Sequence, residues 1–344
     1  MPERFPEQQY PEDPTIVVIG GGSGTAAIYP ELVEMTPNAV AIVGMSDSGG
    51  STGIISKELN MLPVGDLRKV MLSASGSPDA RSLQQQKLGG EGSLAGHSAA
   101  NVVVAAFIEN LGVAEGVRAA SRLFRVPGRV LPVTLDRHDL MMQDGPGLTL
   151  RGEHIIDEHA IQSPTPSIWL DPPVGINPEA AEVLDQADLI VVAAGSVYTS
   201  QLAALSVSGV REALEASRAP KVLLANLATE QDQTDCWHVV DYAHALARHG
   251  IDIDYLLYNN GQPTEEMLVN YKREGQEPVD ISPERFAELP AHVRVMAADI
   301  LARSCRVADP NDLIKKRGIM FHNASAVGDE LRKILAATTA LSGV

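Results

Sequence analysis

The stretch Thr15-Ile-Val-Val-Ile-Gly-Gly-Gly-Ser-Gly-Thr25 decides the fold. Residues 16–19 are an unbroken β-branched run ending in glycine, the mark of a strand buried on both faces of a parallel sheet. The glycines that follow leave their amides unscreened, and a helix is expected over 25–35, with Pro30 calling for a late start or a kink. A glycine loop between a strand and a helix N-terminus suits an anion, because free N–H groups and the positive end of the helix dipole converge there. Gly21, Gly22, Ser23, Gly24 and Thr25 are therefore candidate phosphate contacts, against the plainer reading of a tight turn that holds nothing. The dinucleotide signature fits as Gly22-x-Gly24-x-x-Ala27, but no acidic residue closes the next strand to hold a ribose. The Lys-Ser/Thr ending of a nucleoside-triphosphatase loop is absent.

Outward from this unit, a second strand is expected over 40–44. Ser46-Asp-Ser-Gly-Gly-Ser-Thr-Gly53 follows, too rich in glycine and hydroxyls for a regular element and so read as a loop. Ser48, Gly49 and Gly50 would offer amides and a hydroxyl to a ligand. A second polar loop, Leu62-Pro-Val-Gly-Asp-Leu-Arg68, starts another helix. Asp47 and Asp66 stand in separate glycine-bearing loops, and with a bound phosphate they suit Mg²⁺, which prefers oxygen ligands. They serve equally well as turn and helix caps. No cofactor follows firmly, and Mg²⁺ is the one cation in view. Arg68 suits either a phosphate or a surface pair with Asp66 or Glu58. A helix over 98–111, read with Val103, Phe107 and Leu111 inward, carries Asn101 near its start. His97 before it reads as a capping or packed histidine.

From 129 to about 170 the chain reads as an antiparallel β insertion, with strands over 130–135, 148–150 and 167–170. Asp136, His138, Asp139 and His154 within it match no metal-ligand spacing and read as solvated surface. After Pro178 helices (178–187, 207–217, 237–248, 264–271) alternate with strands (189–192, 221–224, 255–258). A tail with strands over 293–296 and 319–321 ends in a helix over 325–339. The fold class is α/β, a Rossmann-like, doubly wound, mostly parallel sheet with a β-rich insertion. Residues 15–344 form one domain behind a flexible arm over 1–14. Ligands of such sheets bind beyond the carboxyl ends of the strands, so five loops should share one rim. They are the glycine loop, the Asp47 loop, the Gly195 loop, the Asn226 segment and the Asn259-Asn260 pair. Gly195, Ser196, Tyr198 and Thr199 repeat the strand, glycine, hydroxyl order. Asn226, Asn259 and Asn260 offer amides to a base or sugar, although Asn-Gly also makes plain turns.

A net charge of −17 over 344 residues repels nucleic acid. The longest apolar runs, 102–108 and 189–194, fall short of the roughly 20 residues a bilayer requires. Two cysteines with no CxxC fit a reducing compartment, and the opening MPERFPEQQYPEDP lacks the features of a secretory signal. A cytoplasmic protein is expected, with no nucleic-acid or membrane partner. Serine-hydrolase and zincin motifs are absent.

Six motifs in order resemble the YvcK/CofD family nearly end to end: VVIGGGSGT (17–25), SDSGGSTG (46–53), LPVGDLRK (62–69), AGHSAAN (95–101), ADLIVVAAGSVYTS (187–200) and YNNGQPTEEMLVNYKREGQEPV (258–279). The family contains the bacterial gluconeogenesis factor and the phospholactate transferase of deazaflavin coenzyme synthesis. The resemblance implies a Rossmann-like homodimer with a nucleotide or nucleotide-sugar ligand. YvcK-like members bind UDP-sugars and influence cell shape and carbon use. CofD-like members move a phospholactyl group from a guanylated donor to a deazaflavin with Mg²⁺, their acids matching Asp47 and Asp66. Family nucleotide contacts fall on Gly21, Gly22, Ser23, Gly24, Thr25, Gly195, Ser196, Tyr198 and Asn260. The chain departs from the family at Asp47-Ser48, where two consecutive acids are common. It departs again at Phe321-His322-Asn323, where YvcK-like members often have Arg-His-Asp, and at Ala26-Ala-Ile-Tyr-Pro30, where the glycine loop often continues with apolar residues.

Overall fold

β1 (Ile16–Gly20) is buried along its whole length, and its four aliphatic side chains fully so. Burying its four large aliphatic side chains is worth roughly 1.5–3 kcal/mol each, which sets this strand at the centre of whatever forms around it. The computed structural model describes residues 12–84, 86–273, 275–303 and 320–342; most of the arm read over 1–14 and the first residue of the strand read over 319–321 lie outside them. The other strands are β2 (Ala39–Val43), β3 (Arg129–Pro132), β4 (Asp139–Gln143), β5 (Thr149–Arg151), β6 (Ser167–Asp171), β7 (Leu189–Val192), β8 (Lys221–Leu224), β9 (Tyr255–Asn259) and β10 (Arg294–Ala298). Seven of them form one sheet in the order β10-β9-β8-β7-β1-β2-β3, with every neighbouring pair parallel. The chain steps outward from β1 through β2 to β3, then returns to lay β7 against the other side of β1. The reversal opens a crevice between the carboxyl ends of β1 and β7, the place where doubly wound sheets hold ligands.

Three helices position the near side of that crevice: α1 (Gly22–Met35), α2 (Gly50–Glu58) and α3 (Gly65–Ser73). α1 neither starts late nor breaks at Pro30. It begins at Gly22 and runs on to Met35 with the proline inside, because Ile28, Tyr29 and Leu32 are fully buried around that turn. Their burial outweighs a lost helix bond of about 3 kcal/mol. The second half of the Asp47 loop is likewise helical, since Gly50 opens α2. There the hydroxyls and glycines serve the first turn: the Gly49 amide donates to Asp47 Oδ1 (3.0 Å) and the Gly53 amide to the Gly49 carbonyl (3.0 Å). In the helix Ala99–Leu111 the inward row is Ala100, Asn101, Val104, Ala105 and Ile108, one position away from the row expected, and Leu111 is 45% exposed. Small residues carry the contact there, and size alone misled the reading.

The segment read as an insertion from 129 divides in two. Arg129–Pro132 is an edge strand of the main sheet, parallel to β2, and its last three residues are buried. The insertion's antiparallel sheet, β5-β4-β6, spans 139–171 and carries a small helix between β5 and β6, at Glu153–Asp157. Tyr29 ties α1 to the β3 edge, its hydroxyl donating to the Arg129 carbonyl at 2.8 Å while its ring is buried. Tyr29→Phe removes this bond and leaves that carbonyl short of a donor. Urea unfolding should show a loss of about 1–2 kcal/mol with an unchanged m-value.

Candidate functional site

Glycine is required along the loop after β1 because the chain leaving β7 and the start of α3 come too close for a side chain. A Cβ on Gly21 would stand 2.7 Å from Ser200 Oγ, one on Gly22 2.3 Å from Asp66 Oδ1, and one on Gly24 1.6 Å from the Ala194 carbonyl oxygen. α1 starts on this loop with Gly21 as its cap, no side-chain cap bond and no acid in its first turn. Its leading amides thus face the crevice end of the helix without a protein carboxylate of their own element. Ser23 is exposed, while Thr25 is buried with its hydroxyl unpartnered.

The far wall follows β7. Gly195 adopts φ +154°, and its N–H and C=O are both taken by Asn226: Oδ1 accepts at 3.0 Å and Nδ2 donates at 2.9 Å. A π-helical turn, Val197–Gln201, comes next, and such turns often mark functional sites. Ser200 of this turn backs Gly21. Thr199 Oγ1 lies 2.8 Å from Ser196 Oγ and 3.5 Å from Asp157 Oδ1. The Tyr198 phenol is buried, and desolvation pushes its pKa up to about 12.

Carboxylates gather beside the glycine loop. Asp66 in the first turn of α3 accepts from Lys69 Nζ at 2.9 Å. Asp47 lies against the start of the same helix, since a Cβ on Gly65 would come within 2.5 Å of its Oδ2. Glu153, from the insertion, accepts from the Ser48 amide at 3.2 Å, and Ser48 Oγ accepts from the His154 amide at 2.9 Å. Burial first, and then the Asp66 charge, hold Asp47 above the usual carboxylate range, against the pull of Lys69. Burial and then the Asp47 charge raise Glu153 to about 7. Lys69 is raised in turn, chiefly by Asp66. Glu153 thus brings an acid next to Ser48, where the sequence lacked a second one. Nothing within the local sequence signals this, since 105 residues separate the pair. Among the described residues no three His, Cys, Asp or Glu side chains are close enough to hold a metal by themselves.

The remaining expected residues fall around this centre. Ser51 Oγ accepts from the Ser98 amide (3.2 Å) and stands 3.4 Å from Asn101 Nδ2 and 3.0 Å from His97 Nδ1. Asn101 is buried with Oδ1 unpartnered. Arg68 Nη1 donates to the Gln84 carbonyl (3.0 Å). Asn259 is occupied within its own loop: Oδ1 accepts from the Gly261 and Ile300 amides, both at 3.1 Å. Asn260 is exposed at the end of β9, three strands and so roughly 14 Å across the sheet from β1. His322 Nε2 meets the Ala225 carbonyl at 3.1 Å beyond β8, and burial lowers its pKa to about 4.

A parallel, doubly wound sheet with a glycine-walled crevice at its switch point defines the class, an α/β protein of Rossmann-like architecture. Residues 16–301 match the family described as 2-phospho-L-lactate transferase CofD, and the chain belongs to that family. It is 30% identical over 322 residues to the Thermotoga maritima protein named "Putative gluconeogenesis factor", covering 93% of this chain and 98% of that one. It is 32% identical over 263 residues to the "Gluconeogenesis factor" of Listeria monocytogenes, covering 74% of this chain and 80% of that one. The crystal structure of a UPF0052 family member from Bacillus halodurans superposes with a TM-score of 0.83 at 28% identity, over 93% of this chain and 99% of that one. No helix among the described residues is long and apolar enough to cross a membrane.

A carboxyl whose folded pKa of about 7 exceeds its ordinary 4.5 keeps a proton that the unfolded chain has released. Its contribution to stability is therefore full below pH 4.5 and is lost as pH rises through 7. The melting temperature should fall between about pH 5 and pH 8 more steeply in the native protein than in Glu153→Gln. At the upper pH the variant should be the more stable by on the order of 1–3 kcal/mol. Parallel melting curves in pH would show that Glu153 ionises as freely as an exposed acid.

Proposed function

We propose that the chain is a cytoplasmic gluconeogenesis-factor-type regulator that binds a nucleotide-sugar, with the diphosphate on the glycine loop at the β1/β7 crevice. One observation carries this reading: three glycines are held against Ser200 and Ala194 of the chain leaving β7 and against Asp66 of α3, so the loop's amides are fixed before any ligand arrives. Preformed amides at a helix start recognise phosphate without a net positive charge, which suits a chain of charge −17. The gluconeogenesis-factor names of the relatives support the same reading, and the homodimer implied by the resemblance belongs to it.

A second reading, a CofD-like transferase moving a phospholactyl group from a guanylated donor to a deazaflavin, is favoured by the acids. Asp47 and Asp66 flank the loop, and Glu153 adds a carboxylate at Ser48. Mg²⁺ is commonly held by one or two carboxylates together with ligand phosphates, so Asp47 and Asp66 suit it although no protein-only cluster exists among the described residues. Such an ion would neutralise phosphate charge beside Asp66.

Calorimetric titration with UDP-N-acetylglucosamine, UDP-glucose, GDP and NAD, each with and without Mg²⁺, separates the readings. UDP-sugar binding that ignores Mg²⁺ is the expected result, whereas GDP binding only with Mg²⁺ would favour the transferase. In that case Asp47→Asn should abolish the metal effect. Ser23→Asp gives a sharper check, because Ser23 is exposed in the first turn of α1. A carboxylate there favours the helix by about 0.3–1 kcal/mol yet repels phosphate. Thermal stability should hold or rise while UDP-sugar affinity falls at least tenfold; undiminished affinity would remove the diphosphate from this loop.

A further inference from the structure

Beside the crevice, on the β8 side, lies a cavity of about 260 Å³. Its walls are residues 161–164 of the insertion, Tyr198 of the π turn, and the loop that carries Asp232, Gln233, Asp235 and Trp237. We infer that this cavity takes the sugar ring of the nucleotide-sugar, an assignment that rests on the reading above.

Size comes first. Pockets that enclose whole drug-sized ligands run to roughly 300–1,000 Å³, so this one accommodates a single ring rather than a complete nucleotide. Charge comes second. The lining holds two carboxylates, Asp232 and Asp235, and no lysine or arginine. Phosphate is excluded from such a wall, and ionised carboxylates accept hydrogen bonds without donating any, so of the parts of a nucleotide-sugar the occupant is the uncharged one rich in donors. Sugar hydroxyls meet both conditions. A uracil ring, with one N–H and two carbonyls, would set its acceptors against the acids.

The remaining lining fits the same occupant. Trp237 stands edge-on to Tyr198, with ring centroids 6.3 Å apart, and offers an apolar body with a polar tip to the C–H face of a pyranose. Gln233 is 7% exposed, and its amide nitrogen donates to the Ile156 carbonyl (2.9 Å) and the His159 carbonyl (2.6 Å). Those two bonds fix the amide orientation and leave Oε1 as a buried acceptor with no partner. The opposite wall is set in advance, since Asp144 accepts from the amides of Gln162 (2.9 Å) and Ser163 (2.6 Å) and pairs with His159 (2.7 Å). Continuity with the diphosphate site comes from the π turn: Ser200 backs Gly21, and Tyr198, two residues earlier, lines the cavity.

The chain has two tryptophans, Trp169 and Trp237, so Trp169→Phe, on the exposed face of β6, leaves Trp237 as the sole reporter. This variant is titrated with UDP-glucose, UDP and GDP, following both emission and heat. UDP and UDP-glucose should both bind, but only UDP-glucose should shift the Trp237 emission, and it should bind on the order of tenfold more tightly than UDP. Adding Asp232→Asn or Asp235→Asn should erase that advantage and leave UDP affinity as it was. Equal affinities with a silent Trp237, or acid variants that change nothing, overturn the sugar pocket while the nucleotide site stands. An emission shift with UDP or GDP puts the base in the cavity and also overturns it. Failure of every nucleotide to bind overturns the sugar pocket and the proposed function together.

Discussion

Everything near the crevice depends on how closely the first turn of α1 lies against the chain leaving β7. With the Ala194 carbonyl only 1.6 Å from where a Gly24 Cβ would be, backbone meets backbone and no side chain separates the two walls. The spacing of the walls is therefore a property of the main chain, fixed by the parallel pairing of β1 with β7 below it. Ser200 against Gly21 and Asp66 against Gly22 repeat the constraint from two further directions. A loop pinned in this way has little entropy left to lose, and that is how preorganisation converts structure into affinity.

The electrostatics are less uniform than the net charge suggests. Beyond burial, the Asp66 charge raises the proton affinity of Asp47 against the pull of Lys69, and the Asp47 and Asp66 charges raise that of Glu153. Acids beside a phosphate-holding loop are a cost unless a cation or a proton intervenes. Glu153 is suited to the second option, because its raised pKa lets it change charge near neutrality.

How much of this was legible in the sequence depended on how local each signal was. β7 and β8 lie where they were read, at 189–192 and 221–224, because short apolar runs bounded by turn residues suffice to mark a buried parallel strand. Arg129–Pro132 was placed in the wrong sheet, since nothing within four residues says that the partner is β2. β4 was missed because its alternation lasts five residues among charges, and its two fully buried positions, Leu140 and Met142, are too few to stand out. The glycine loop and the Asp47 and Asp66 loops were visible as motifs. Glu153 and the Gln233 pocket were not, for each depends on residues brought together across the insertion; the Gly195–Thr199 motif is legible, but its π-helical form is not.

The Asn226 side chain has a role that its two hydrogen bonds to Gly195 only begin to describe. A carboxamide that both donates to and accepts from one residue presents the same pair of groups as a peptide unit on a neighbouring strand. Asn226 thus acts as a counterfeit rung, lengthening the β7–β8 ladder beyond Leu224 while the main chain is already free to turn away. Aspartate has the same shape but nothing to donate, and so could copy only half of that rung.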